Sequence, residues 1–215
     1  MKRSTIVAAA IFASGLICAR PSAAQNVSHF TFNAGAGFTQ PVQHTDGRFD
    51  TGFNINAGVG YNFVSRFGVV GEFGYNQFGL TDALLTRAGA PDGTGRLYSV
   101  TLNPVFHFNP RGRVDAYVIG GGGYYRRTVE FTQPTIAGVT VFDPFLFGFV
   151  NVPVVANQVL GSFTQNKAGW NVGAGVSYRV KEDSHAKIFA ESRYHYIYTT
   201  PVRTAVLPVT FGLRW

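Results

Sequence analysis

Residues 207–215 read Leu-Pro-Val-Thr-Phe-Gly-Leu-Arg-Trp. The odd positions, Leu207, Val209, Phe211, Leu213 and Trp215, are all apolar, while Pro208, Thr210, Gly212 and Arg214 are small or polar. A period of two is the pattern of a strand with one greasy and one polar face. The greasy face ends on an indole. Chain ends ordinarily fray in water, so a terminal Trp suits a soluble domain poorly. At a membrane–water boundary an aromatic ring has a defined place to sit.

The same period recurs along the chain. In residues 29–38 the even positions Phe30, Phe32, Ala34, Ala36 and Phe38 oppose small or polar odd ones. Residues 52–63 set Phe53, Ile55, Ala57, Val59, Tyr61 and Phe63 against Asn54, Asn56, Gly58, Gly60 and Asn62. Segments 67–77, 97–108, 114–129, 167–180 and 186–198 follow the same rule, and the segment at 207–215 is the eighth. Their connections alternate in length. Short turns are expected at 64–66, 109–113 and 181–185, and longer loops at 39–50, 79–96, 131–166 and 199–205. An even number of strands with alternating short and long connections predicts an all-β fold, an eight-stranded antiparallel up-and-down transmembrane β-barrel.

The first residues carry a different signal. Lys2 and Arg3 precede an apolar stretch from Ile6 to Ala19, and Ser22-Ala23-Ala24 forms a small-residue cleavage site. Residues 1–24 therefore read as a secretory signal peptide and residues 25–215 as one barrel domain. The single cysteine, Cys18, falls in the leader, so no disulfide is expected after export. Eighteen basic residues less Lys2, Arg3 and Arg20 leave fifteen against eleven acids. That balance is too mild to suggest nucleic acid as a partner. Beyond residue 24 no run is long and apolar enough for a spanning helix. Yet the chain holds 20 Phe, 10 Tyr and 26 Gly with only 13% charged residues, about half the usual share.

The distribution of aromatics decides which face meets lipid. Phe63, Phe67, Phe106, Phe108, Tyr178 and Trp215 fall on the apolar face at the short-turn end. Phe38, Phe53, Tyr75, Tyr98, Tyr124, Trp170 and Tyr196 fall on it at the long-loop end. Between them the face is aliphatic. Two aromatic girdles around an aliphatic band describe a lipid-facing exterior. The opposite face, rich in Gly, Asn, Ser and Thr, suits the narrow interior of a closed barrel.

These elements, with Ala116–Gly123, Phe189–Tyr194 and the terminal Val209–Trp215, resemble the small eight-stranded outer-membrane barrels of the OmpA/OmpX-like superfamily. The resemblance covers residues 25–215. It implies location in the outer membrane, lipid as the surrounding partner, and recognition by the barrel-insertion machinery through Leu207, Val209, Phe211, Leu213 and Trp215. It says nothing about activity.

The candidate chemistry is sparse. Glu72, Glu191, Arg193 and His195 are expected inside the barrel near its middle, where a carboxylate pairs with Arg193. Buried charges must be paired, so this set reads first as a structural plug and second as the gate of a narrow channel for ions or small solutes. A lipid-modifying enzyme is a third possibility. It would need a nucleophile beside an oriented histidine, and Ser192 and His195 differ in parity and so face opposite ways. No catalytic centre, cofactor or metal site is expected. The segment 131–166 is too apolar for an ordinary exposed loop. It is expected to extend the flanking strands as a hairpin capping the barrel, or to bind a surface partner. The 79–96 loop reads as merely solvated. The leading expectation is a structural scaffold that displays loops outward.

Overall fold

The computed structural model describes residues 29–180 and 186–215. The expected leader, residues 1–24, and the expected turn at 181–185 lie outside the described residues. Eight strands, β1 (Phe30–Val42), β2 (Gly52–Val64), β3 (Phe67–Gly79), β4 (Asp92–His107), β5 (Val114–Asp143), β6 (Gly148–Arg179), β7 (Lys187–Ile197) and β8 (Thr204–Arg214), close into one antiparallel barrel in sequence order. Closure is made by β1 and β8, in register from Asn33↔Arg214 to Val42↔Ala205. Trp215 extends the seam: its N–H donates to the Phe32 carbonyl at 2.9 Å, and the Phe32 N–H returns the bond at 2.8 Å. A closed ring leaves no strand edge within the barrel wall, the condition for crossing a bilayer with strands.

Period two places the two sets of side chains as expected. Phe30, Phe38, Ile55, Val59, Phe73, Val100, Leu102, Val118, Val172, Ile188 and Phe211 point outward and are exposed. Asn33, Asn54, Glu72, Asn103, Asp115, Asn171, Glu191, Arg193 and Thr210 point inward and are buried. This inverts a water-soluble barrel, so the solvent that stabilises the exterior must itself be apolar.

The interior is layered. Towards the long-loop end Phe49, Phe78, Leu80, Leu97, Tyr125, Ile197 and Val206 form an apolar cluster. Towards the short-turn end Val70, Val105, Tyr117 and Ile119 form another. Glu72, Glu191 and Arg193 lie between them.

Two loop expectations are corrected here. The 79–96 segment is not merely solvated. It holds a short helix, α1 (Asp82–Ala88), whose Leu84 and Leu85 pack on the upper apolar cluster beside the buried Leu80. Leucines at adjacent positions on a short amphipathic segment have one available apolar surface, the barrel mouth, and they cover it. The second correction concerns the 131–166 segment. It does extend β5 and β6, but it does not cap the barrel.

Of its 30 residues, β5 pairs with β4 only as far as Asp92↔Thr132, and the 32-residue β6 pairs with β7 only below Gly169↔Ile197. Beyond those points each strand has only the other as partner, from Gln133↔Gln158 to Asp143↔Gly148. Each strand is about 100 Å long at about 3.3 Å per residue. A two-stranded ribbon therefore stands free of the mouth, which α1 and the upper apolar cluster already fill.

Candidate functional site

The polar middle of the lumen is organised by one cation. Arg193 on β7 reaches across to β3, where its Nη2 donates to Glu72 Oε2 at 2.8 Å. Its Nε donates to Glu191 on the same strand. Asn33 Nδ2 of β1 donates to the same Glu72 oxygen at 3.2 Å. The spacing is dictated by sequence: Glu191 and Arg193 are two apart on one strand and so share a face, and Glu72 faces them from the opposite wall. All three are nearly inaccessible to solvent. His195, expected in the same set, is turned to another partner, its Nδ1 lying 3.0 Å from the Tyr125 hydroxyl.

Glycines on β6 make room for these groups. A Cβ on Gly173 would sit 2.6 Å from Arg193 Cγ, and one on Gly175 would sit 2.5 Å from the Tyr117 hydroxyl oxygen. Below, the Arg214 guanidinium stacks 4.5 Å above the Tyr117 ring and 5.4 Å from that of Phe189. At the short-turn rim Asp115 accepts from the Asn109 N–H at 3.0 Å and lies 2.6 Å from His107 Nδ1. The remaining space among Asn56, Glu72, Glu191, Arg193 and His195 is a cavity of about 20 Å³. It is polar and has room for about one water molecule. Asn33, Tyr117 and Tyr125 were not singled out in the sequence reading. Their inward parity was the available signal, but parity does not identify which polar groups meet across a lumen.

On the exterior, aromatic rings gather at both ends of the strands. At the short-turn end the Phe63 and Phe67 rings stack with centroids 6.0 Å apart, Phe106 and Phe108 meet edge to face, and Phe32 stacks on Trp215. Tyr178 carries the Arg113 guanidinium over its ring. At the other end Tyr75 packs on Tyr98 at 5.0 Å and Trp170 on Tyr196 at 5.6 Å, while Tyr124 is exposed beside them. In β8, Phe211 and Leu213 face outward and are exposed, and Leu207, Val209 and Trp215 are half-buried on the same face. Ser192 lies on the outer face, away from His195. Among the described residues no three His, Cys, Asp or Glu side chains are grouped to hold a metal ion.

A family model for the outer membrane protein beta-barrel domain matches residues 9–214. The chain belongs to that family. The barrel thus resides in the outer membrane, its aliphatic band in the hydrocarbon. Among solved structures it is similar to Neisserial surface protein A, with a TM-score of 0.57 and 18% identity over 87% of this chain and 96% of that one. It is similar to a major outer membrane protein from Thermus thermophilus, with a TM-score of 0.53 and 13% identity over 86% and 97%. It is also similar to Ail, the attachment invasion locus protein of Yersinia pestis, in complex with the heparin analogue sucrose octasulfate, with a TM-score of 0.50 and 19% identity over 86% and 97%. No curated protein matches the chain. At these identities the likeness is one of fold.

Beyond the barrel wall projects the free part of the β5–β6 ribbon. From residue 131 to residue 166 its only charged side chain is Asp143. Both faces are apolar: Ile136, Phe142, Phe149 and Val155 lie on one, and Val139, Val141, Val150, Val152 and Val154 on the other. The tip is Phe145-Leu146-Phe147, and Phe145 is 94% exposed. Asp143 Oδ1 holds the tip turn by accepting from the N–H groups of Phe145 at 2.8 Å and Leu146 at 3.2 Å.

Proposed function

We propose that this protein is a surface-interaction scaffold, a sealed outer-membrane barrel whose work is to hold the β5–β6 ribbon clear of the membrane. The observation that carries this reading is the ribbon itself. Exposed contiguous apolar surface of this extent on a folded protein marks a contact site. The middle of the lumen offers no competing site among the described residues. The Arg193 cluster is a plug, lying between two apolar layers with a cavity for about one water. Narrow conduction would require Arg193 and both carboxylates to move and both apolar layers to part. A lipid-modifying activity has no nucleophile beside His195, which is committed to Tyr125. The outward residues Leu207, Val209, Phe211, Leu213 and Trp215 of β8 serve as the signal read by the insertion machinery.

The ligand class differs from the one named for Ail. Sucrose octasulfate is a polyanion, whereas the ribbon here bears a single charge, and that charge is negative. Recognition through the ribbon is therefore apolar and backbone-mediated. The test replaces residues 134–157 by a two-residue Asn-Gly turn and expresses both forms on cells without adhesins of their own. Adhesion is scored as settling of suspensions and as retention on coated surfaces. A fall of roughly tenfold or more, with equal amounts of folded barrel, is expected. Unchanged adhesion on both measures overturns the reading.

A further inference from the structure

The two edges of the free ribbon are not equivalent, and the difference names a partner. Along the barrel the Phe108 N–H of β4 donates to the Ala116 carbonyl of β5, while the Arg179 N–H of β6 donates to the carbonyl of Arg113, just before β5. Even-numbered residues of β5 thus direct their backbone groups towards β4, and odd-numbered ones towards β6. The β5–β6 register shifts at Phe131/Thr132, where the extra residue, Leu160, lies on β6; the alternation of β5 therefore carries on above Thr132, where β4 has ended, while that of β6 changes parity. Ile136, Gly138, Thr140 and Phe142 then present N–H and C=O to an empty edge, and Pro134 presents only a carbonyl.

The β6 edge is different. Phe149, Asn151, Val155 and Asn157 are its outward residues, and Pro153 sits in their centre. Proline in mid-edge, with no N–H to give, interrupts any strand that would add there. The β5 edge from 135 to 143 has no proline, no lysine and no charge before Asp143. These are the devices by which sheet edges are ordinarily protected, and above Pro134, at its lower end, this edge lacks them.

The outward set on the β5 edge is complementary to itself. Turned about a two-fold axis through Gly138, Ile136 meets Thr140 of a second copy, Gly138 meets Gly138 and Phe142 meets Pro134. That register forms about eight hydrogen bonds between copies. It leaves each Asp143 beyond the paired stretch, so no like charges oppose one another. It also joins the valine faces of both ribbons into one four-stranded apolar surface. A lipid bilayer is a poorer occupant: a ribbon immersed in hydrocarbon leaves every edge N–H and C=O without a partner.

We propose that the β5 edge of this ribbon binds the β5 edge of a second copy of the same chain, antiparallel, through residues 134–142. The proposal rests on the ribbon being the interacting element, as above, and adds the partner and the arrangement. Antiparallel pairing sets the two barrels at opposite ends of the joined sheet. The two copies therefore stand in apposed membranes, and the contact joins one membrane to another.

The experiment uses the full-length barrel reconstituted in phosphatidylcholine vesicles of two colours, with the ribbon outward. Vesicles carrying protein in both populations are expected to cluster, and protein vesicles mixed with protein-free ones are not. Thr140→Pro removes one outward N–H from the β5 edge without touching the β5–β6 ladder, and Asn151→Pro does the same on the β6 edge. The first should slow clustering by about tenfold or more and the second should leave it near wild type. Folding of both is checked by the mobility shift between unheated and boiled samples. In a chain lacking Cys18, Gly138→Cys should give dimers with a short thiol crosslinker between clustered vesicles, and Pro153→Cys should not. Clustering against protein-free vesicles, equal loss in both proline variants, or crosslinked dimers without clustering would each overturn the proposal. Should clustering fail while adhesion to surfaces still depends on residues 134–157, this inference falls and the broader reading stands.

Discussion

Arg193 shows how much one side chain settles inside this barrel. It touches two carboxylates from two walls, and all three groups are buried. Removing one member of a buried ionic set costs more than the set contributes, because the remaining charge keeps its desolvation penalty. Arg193→Met therefore leaves Glu72 and Glu191 buried in the lumen without a cation. We expect a loss of about 3–5 kcal/mol, read as a lower urea midpoint for the detergent-folded barrel. Adding Glu72→Gln and Glu191→Gln to Arg193→Met should restore much of it, since the uncompensated charge is then gone. If the single and triple variants unfold alike, the cluster is not an ionic unit. Parity alone made these residues legible: Glu72, Glu191 and Arg193 stand at inward positions of strands lying opposite in an eight-membered ring. The same parity rule left out Tyr125 and Asn33, because it fixes facing and not height, and height decides which inward groups meet.

The elements divide into those whose pattern was simple and those whose pattern was mixed. Every barrel strand alternates because it has two different solvents, lipid outside and packed polar side chains within, and alternation is easy to read. The free ribbon has one environment on both faces. Its valines and phenylalanines therefore occur at odd and even positions alike, from Val139 and Val141 to Phe142 and Phe149, and the period is lost. Helix α1 was hidden for another reason. Seven residues are too few to display a helical period, so Leu84 and Leu85 looked like loop residues. The ribbon's tip depends on Asp143, which accepts two backbone N–H bonds across the turn. Asp143→Ala removes both, at a cost of about 1–2 kcal/mol to the turn. The tip should open roughly 5- to 30-fold more often. Limited chymotrypsin digestion under native conditions measures this as faster cleavage at Phe145 and Phe147, with the barrel fragments otherwise intact. An unchanged cleavage rate would mean that the ladder from Thr135 to Val155, and not the aspartate, holds the turn.

At the scale of the whole molecule the barrel is a ring whose last strand must find its first. The β1–β8 seam joins residues more than 160 apart in sequence, so its closure costs more chain entropy than that of any other strand pair. β8 therefore has two separable duties. One is structural: Trp215 adds a reciprocal pair of hydrogen bonds to Phe32 and stacks on its ring at 6.3 Å. The other, which we assign to the outward set from Leu207 to Trp215, is recognition by the insertion machinery before the ring closes. The duties predict different outcomes for Trp215→Ser. The backbone pair survives that substitution and only the ring contact is lost, so the structural cost is about 1 kcal/mol. Urea-unfolded protein diluted into detergent should still refold to the form that migrates differently before and after boiling. In cells the folded amount recovered from the outer membrane should fall by roughly tenfold, a change too large for that loss in a barrel stabilised along its whole circumference. If refolding in detergent falls in parallel with the amount in cells, Trp215 is a structural residue alone, and the signal lies elsewhere in the strand.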